Sequence, residues 1–266
     1  MKYLYILITS STAIYLILLI VIYFNQRNLL YLPSENNYLD DPIKFEYEEH
    51  FIKVDKDVKI KSWLIKKDLN KYKTLLFLHG NAGNLFNRSY KLNELNKLEL
   101  NILIISWRGF SGNPGKPTEA NLYKDAKKAV TWLNDKGVKS KNIILYGESL
   151  GTGVAIEIGQ SNKFNSIILE SPYTSMIKAA KIYYPYLPVK FLLKDKYNSE
   201  EKIKNVKIPI LIMHGKKDQI IPFKMGKELF KTAKFPKEFV EIDNDDHMLT
   251  FNDNLLFKIN GFLEKY

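Results

Sequence analysis

A short apolar run, Ile143-Ile144-Leu145-Tyr146, passes straight into Gly147-Glu148-Ser149-Leu150-Gly151. Thr152-Gly153-Val154-Ala155-Ile156-Glu157-Ile158 follows and can form a helix. No feature of the chain restricts its fold more. A strand that turns into a helix within so few residues forces the central residue into an unfavourable backbone conformation and lifts its side chain clear of the sheet. The flanking glycines remove Cβ atoms that would collide where strand and helix approach. The Ser149 hydroxyl is then presented at a helix N-terminus, where free N–H groups and the helix dipole favour a developing negative charge. A pentapeptide with three fixed positions also recurs by chance, so its weight rests on the rest of the chain.

After Pro33, short apolar runs alternate with helical stretches. Residues 49–54 and 58–66 read as two early strands, the second alternating through Val58, Ile60, Ser62 and Leu64. Runs at 74–78, 102–106, 143–146, 166–169 and 210–213 are apolar without alternation, as strands covered on both faces are. Residues 238–242 complete eight. Helices are expected at 85–98, 119–136, after Ser149, at 224–232 and at 254–265. Two strands followed by repeated strand–helix units specify an α/β fold with a doubly wound, mostly parallel eight-stranded sheet. One stretch breaks the rhythm. Residues 175–204 are too long for one crossover helix, carry Tyr183, Tyr184, Tyr186 and Phe191, and are interrupted by Pro185 and Pro188. They suit a short lid-like insertion, whose rings either face a substrate or pack the lid on the body.

The chain has 266 residues, and residues 4–24 carry no charge. As a helix they rise about 30 Å, the thickness of a bilayer core. Hydroxyls of Thr9, Ser10, Ser11 and Thr12 can bond back to carbonyls one turn earlier. Tyr3, Tyr5, Tyr23 and Phe24 lie near the ends, as interfacial aromatics do. The expectation is an uncleaved single-pass transmembrane anchor over residues 1–27, then one α/β domain over 28–266, about 240 residues and enough for one large core. A cleaved secretory signal and a buried helix are the alternatives, but no small-x-small site follows Phe24. Lys2 and Arg27 nearly balance, which leaves the orientation open. The net charge of +11 comes mostly from lysines scattered among Asn and Ile. A solvated surface accounts for it, attraction to anionic headgroups comes next, and neither a basic stripe nor a motif supports a nucleic-acid partner. There is no cysteine, which excludes disulfides, cysteine-ligated metals and a thiol nucleophile.

A serine is a poor nucleophile at neutral pH and needs a base, itself held in the right tautomer by an acid. Of four histidines, His50 sits at an early strand, and His79 and His214 each precede a glycine at a strand end, where they support turns. His247 lies in Asn244-Asp245-Asp246-His247-Met248, a polar loop after the last strand, and is the expected base. Asp218, beyond the strand at 210–213, is the expected acid, with Glu170 as the alternative. Asp245 and Asp246 stand too close to His247 along the chain and read as solvated. The order Ser149, Asp218, His247 is the one a nucleophile on such a turn requires. Two backbone donors must meet the oxyanion: Leu150, directly after the serine, and Asn81 in the loop His79-Gly80-Asn81-Ala82-Gly83-Asn84. That loop lacks the Gly-x-Gly-x-x-Gly and Gly-Lys-Ser/Thr patterns of phosphate cradles. Tyr173, Tyr183, Tyr184 and Tyr186 are candidates for the substrate pocket, and neither a metal nor another cofactor is called for.

Several separated segments carry a resemblance: the 79–84 loop, Arg108-Gly109-Phe110, Pro117-Thr118-Glu119, Leu122-Tyr123-x-Asp125-Ala126, the Ser149 pentapeptide, Glu170-Ser171-Pro172-Tyr173 and His214-Gly215-x-x-Asp218. Together they resemble the membrane-anchored α/β-hydrolase-domain proteins, whose eukaryotic relatives include lipid hydrolases and protein depalmitoylases. The chain is also similar to the broader serine-aminopeptidase-type hydrolases. The resemblance runs over residues 44–266. It implies the α/β-hydrolase fold, Ser149, Asp218 and His247 as nucleophile, acid and base, and the amides of Asn81 and Leu150 as the oxyanion hole. The chain departs from the family at Ser106-Trp107-Arg108-Gly109-Phe110-Ser111, where Asp or Asn followed by Tyr-Arg-Gly-Tyr-Gly is usual. It also lacks the cysteine-rich N-terminus of the depalmitoylase branch.

The expected activity is hydrolysis of ester or thioester bonds in small acylated or lipid-like substrates, through an acyl-enzyme at the membrane. A peptidase of the aminopeptidase type is the rival among enzymes. A catalytically silent, membrane-tethered binding or scaffold protein is the rival outside them. Oligomeric state is left open.

Overall fold

Helices cover both faces of an eight-stranded sheet. The structure, a computed structural model, describes residues 1–34 and 42–266. The strands of the sheet are β2 (Glu48–Lys53), β3 (Lys59–Ile65), β4 (Thr74–Leu78), β6 (Asn101–Ile105), β7 (Ile143–Glu148), β8 (Ser166–Glu170), β9 (Ile210–Gly215) and β10 (Lys237–Ile242). Their order is β10-β9-β8-β7-β4-β6-β3-β2. Only β2–β3 and β3–β6 are antiparallel; the other neighbours are parallel. This is the doubly wound, mostly parallel sheet that the run pattern predicts. The strands β4, β6, β7, β8 and β9 are buried from end to end, so apolar side chains stand on both of their faces.

On one face lie α3 (Glu119–Asp135), α4 (Leu150–Gly159) and α8 (Phe223–Thr232). On the other lie α2 (Ser89–Leu95) and α9 (Asp253–Lys265). α9 shows how the sequence sets such a helix. The Asn252 side chain accepts the Leu255 N–H as its cap, and Leu255, Leu256, Ile259, Phe262 and Leu263 return to the same buried stripe. Each such side chain stabilises the fold by about 1.5–3 kcal/mol on burial.

Winding reverses at β4. The chain leaves β4 through α2 to β6 on one side, then returns through α3 to β7 on the other. The loops at the carboxyl ends of β4 and β7 therefore face each other across a crevice, where ligands of open α/β sheets bind. Asn81, Ser149, Tyr173, Asp218 and His247 follow β4, β7, β8, β9 and β10 in turn, one at each strand's carboxyl end.

Two parts go beyond the sequence pattern. Helix α1 (Lys2–Leu30) is the one helix among the described residues long and apolar enough to cross a membrane, and it continues past the charge-free run. Its last turns have partners on the body: Gln26 donates to the Leu192 carbonyl and accepts the Lys194 N–H, and Arg27 forks onto Asp195 at 2.8 and 3.1 Å. Next, β1 (Leu32–Pro33) pairs in parallel with β5 (Ala82–Gly83), which ties the end of α1 to the loop after β4. Residues 175–204 form α5 (Met176–Tyr183), α6 (Val189–Leu192) and α7 (Ser199–Lys202), with Pro185 and Pro188 between the first two.

Candidate functional site

Ser149 sits at φ 49°, ψ −113°, between the end of β7 and the start of α4. This strained conformation is held from several sides. Its N–H donates to the Glu170 carbonyl at 2.9 Å, and its own carbonyl accepts the Thr152 hydroxyl at 2.6 Å. A Cβ on Gly151 would stand 1.9 Å from the Leu78 carbonyl oxygen, and one on Gly147 2.6 Å from the Thr152 Cα. Only glycines let strand and helix come so close.

The structure brings Ser149, His247 and Asp218 together. His247 Nε2 lies 2.9 Å from Ser149 Oγ, and its Nδ1 lies 2.8 Å from Asp218 Oδ2. Asp218 is fully engaged. Its Oδ1 accepts the Ile220 and Ile221 N–H groups at 2.9 and 2.7 Å, and its Oδ2 also receives His214 Nε2 at 3.0 Å. Burial opposes its charge, yet these donors hold the carboxyl well below the usual carboxylate range. His214 Nε2 also approaches the Ile221 carbonyl at 2.9 Å, which places the proton on that nitrogen. Ser171, which sequence reasoning left without a role, donates its hydroxyl to the His247 carbonyl at 3.0 Å. Asp245 is not simply solvated: its carboxylate accepts the Thr250 N–H and hydroxyl and braces the His247 loop. Glu170, the alternative acid, is committed elsewhere, to Lys91 at 2.6 Å and to the Tyr146 hydroxyl at 2.5 Å.

The loop after β4 is built around buried charge. Glu148 Oε1 accepts the Gly80 N–H at 3.2 Å and Arg88 Nη2 at 2.7 Å, while its Oε2 takes Lys91 at 2.7 Å. Arg88 Nη1 donates to the Ala82 carbonyl at 2.7 Å. Lys91 is wholly buried, so the expectation of solvated lysines fails for it. Burial alone would lower its pKa, but Glu148 and Glu170 outweigh that and raise it. Its spacing to Leu95, four residues on along the same helix face, was the available signal. His79 donates from Nδ1 to the Gly80 carbonyl at 2.8 Å, and Trp107 donates from Nε1 to the His79 carbonyl at 3.0 Å. The Asn81 side chain donates to the Leu30 carbonyl at 2.8 Å, capping the end of α1. The Leu150 N–H lies in the first turn of α4, where no intrahelical acceptor exists. In the arginine loop, Arg108 forks onto Asp125, and Asn113 donates to the Ser106 and Trp107 carbonyls.

A cavity of about 250 Å³ adjoins Ser149, Asn81 and Leu150. Tyr173, Tyr183 and Tyr184 line it. Tyr173 is buried and donates to the Leu150 carbonyl, so it also braces α4. Tyr183 donates to the Ile220 carbonyl and so joins α5 to the Asp218 loop. Tyr186 lies outside the cavity, 64% exposed, because the turn containing Pro185 and Pro188 carries it away toward α1. α1 also contributes to the lining, through Ile22, Gln26, Leu29 and Leu30.

A family model described as alpha/beta hydrolase fold matches residues 73–202. Protein bem46 of Schizosaccharomyces pombe is 31% identical over 229 residues, which cover 80% of this chain and 76% of that protein. The uncharacterized protein Rv2307c of Mycobacterium tuberculosis is 36% identical over 174 residues, 65% of this chain; the match spans only 62% of that relative's length. Among solved structures, the esterase Pf2001 of Pyrococcus furiosus has a TM-score of 0.71 at 23% identity, covering 89% of this chain and 97% of that one. At that identity the likeness is one of fold.

Proposed function

This chain belongs to the α/β-hydrolase family, and we propose that it is a membrane-tethered serine hydrolase cleaving ester or thioester bonds of acylated or lipid-like substrates. One observation carries the proposal: an unbroken hydrogen-bond chain, Ser149–His247–Asp218, whose hydroxyl end adjoins an apolar cavity. His247 Nε2 takes the Ser149 proton as Oγ attacks the acyl carbon. The oxyanion forms against the amides of Asn81 and Leu150. His247 then protonates the departing alkoxide or thiolate, and afterwards draws a proton from the water that releases the acid. Asp218 keeps the other imidazole proton on Nδ1 and stabilises the imidazolium. Residues 1–27 serve as the anchor and residues 175–204 as a lid over the acyl chain. The esterase activity named for the P. furiosus protein agrees with this reading.

A fluorophosphonate probe tests it. Wild type labels and Ser149→Ala does not; an unlabelled wild type defeats the serine mechanism. A series of acyl esters then tests the substrate class. Rates that rise with chain length support an acyl pocket, and rates indifferent to it leave a hydrolase without that preference.

A further inference from the structure

The turn between α5 and α6 meets α1 far from the body of the domain. Tyr15 of α1 donates its hydroxyl to the Tyr186 carbonyl at 2.8 Å. From Tyr15 to Arg27 the helix rises about 18 Å, against an apolar bilayer core of about 30 Å. If the charge-free part of α1 lies in a membrane, a segment that touches Tyr15 lies inside the leaflet next to the domain.

The surface of that segment fits such a place. Ile182, Tyr184, Tyr186 and Phe191 are exposed, Phe191 by 82%, and they stand beside the equally exposed apolar surface of α1. Irregular backbone survives in hydrocarbon only where its polar groups are satisfied internally. Here Pro185 and Pro188 have no N–H, and those of Leu187, Val189, Phe191 and Leu192 go to nearby carbonyls of the same segment. The Tyr186 carbonyl goes to Tyr15. Arg27 beside Asp195, and Lys194 with its ammonium 4.0 Å from the Tyr23 ring centre, stand one level higher, where headgroups would lie. The exposed Lys190 within the segment carries its charge on a stem long enough to snorkel to that level.

We propose that residues 182–191 dip into the bilayer leaflet beside α1, and that the cavity between them is filled from that leaflet by the acyl chain of a membrane-resident amphiphile. α1 is then a wall of the binding site as well as a tether, with Leu29 and Ile22 lining the cavity together with Leu187 and Val189. The immersion rests on the surface alone. The fate of the acyl chain, hydrolysis at Ser149, rests on the function proposed above.

The chain has no cysteine, so a single introduced one accepts an environment-sensitive fluorophore uniquely. Phe191→Cys and Lys141→Cys, the latter exposed just before β7 at the amino ends of the strands, are labelled in the full-length protein. Both are placed in phosphatidylcholine–phosphatidylglycerol vesicles. Spin-labelled lipid should quench the label at 191 several-fold more than the label at 141, with aqueous iodide showing the reverse. Equal quenching, or quenching at 191 by iodide alone, overturns the immersion. In a second arm, Leu29→Trp fills the wall of α1 and should lower the ratio of long-chain to short-chain ester hydrolysis by about tenfold. An unchanged ratio removes α1 from the site. If the label at 191 lies in lipid but Ser149 never reacts with fluorophosphonate, the immersion stands and the hydrolase reading falls.

Discussion

Glu148, the residue before Ser149, accepts the backbone N–H of Gly80, the residue before Asn81, at 3.2 Å. One carboxylate thus joins the turn that carries the Ser149 hydroxyl to the loop proposed to supply an oxyanion donor. Burial would push the Glu148 pKa up, but Arg88 and Lys91 outweigh it and hold the group well below the usual carboxylate range. Arg88 extends the tie to the Ala82 carbonyl. The spacing between hydroxyl and loop is therefore set by buried charge as well as by the strand pairing of β4 with β7.

Glu148→Gln tests that tie. It keeps the shape but leaves the buried Arg88 and Lys91 short of one negative charge. Breaking a buried ion pair in this way costs about 3–5 kcal/mol, to be read as a lower urea midpoint. In the protein that still folds, kcat on a short soluble ester should drop with little change in KM, because an oxyanion donor at Asn81, as proposed, would act only on the transition state. A lowered midpoint with unchanged kcat would confine Glu148 to a structural part.

Asp218→Asn separates the two candidate acids. The amide oxygen can still accept the Ile220 and Ile221 N–H groups, but its NH2 then faces His247 and His214, donor against donor. His247 is pushed to the wrong tautomer, and turnover should fall by roughly 10³–10⁴, with circular dichroism checking that the fold survives. Activity near wild type would turn attention to Glu170, whose carboxylate is already shared between Lys91 and Tyr146.

Ser171→Ala removes the hydroxyl that holds the His247 carbonyl. One neutral hydrogen bond contributes about 0.5–1.5 kcal/mol, so stability should change little. The imidazole, carried on a polar loop, loses one of its fixings, and kcat should fall several-fold. Restoring the hydroxyl with Ser171→Thr should recover part of the rate if the added methyl fits. No loss of rate in the alanine variant would mean that the Asp245–Thr250 brace alone positions the loop.

How much of this was legible follows the range of the interactions involved. The parallel strands could be read because burial on both faces leaves a local mark, an apolar run without alternation. That Ser149, Asp218 and His247 lie at one end of the sheet could be read because each follows a strand. Lys91 was misjudged because its burial depends on Glu148 and Glu170, contributed by two other strands. Tyr186 was misplaced because two prolines set its direction, and a list of aromatics carries no direction. The extension of α1 to Leu30 depends on residues 192–195, far along the chain, and so leaves almost no trace near Arg27.

His79 predicts an acid limb of stability. It is fully buried beside the proposed oxyanion loop, and burial, with the positive charge of Arg88 nearby, pushes its pKa from 6.5 down to about 3. Between those values the unfolded chain binds a proton that the folded chain does not, so stability rises with pH across the window. The contribution is complete above about pH 6.5 and is lost as pH falls toward 3, by up to about 1.4 kcal/mol per pH unit. Glu148 and Asp218, both held low, add the same sign of loss only below their ordinary values of 4.5 and 3.8. From pH 6.5 to 4.5 those two are silent, while Glu170, which burial pushes above 4.5, acts with the opposite sign, so the histidine is read from the difference between wild type and a variant at position 79. His79→Asn keeps a donor toward the Gly80 carbonyl and takes up no proton. Urea midpoints measured across that stretch should rise more steeply with pH in the wild type than in the variant; parallel slopes would assign the loss to another group.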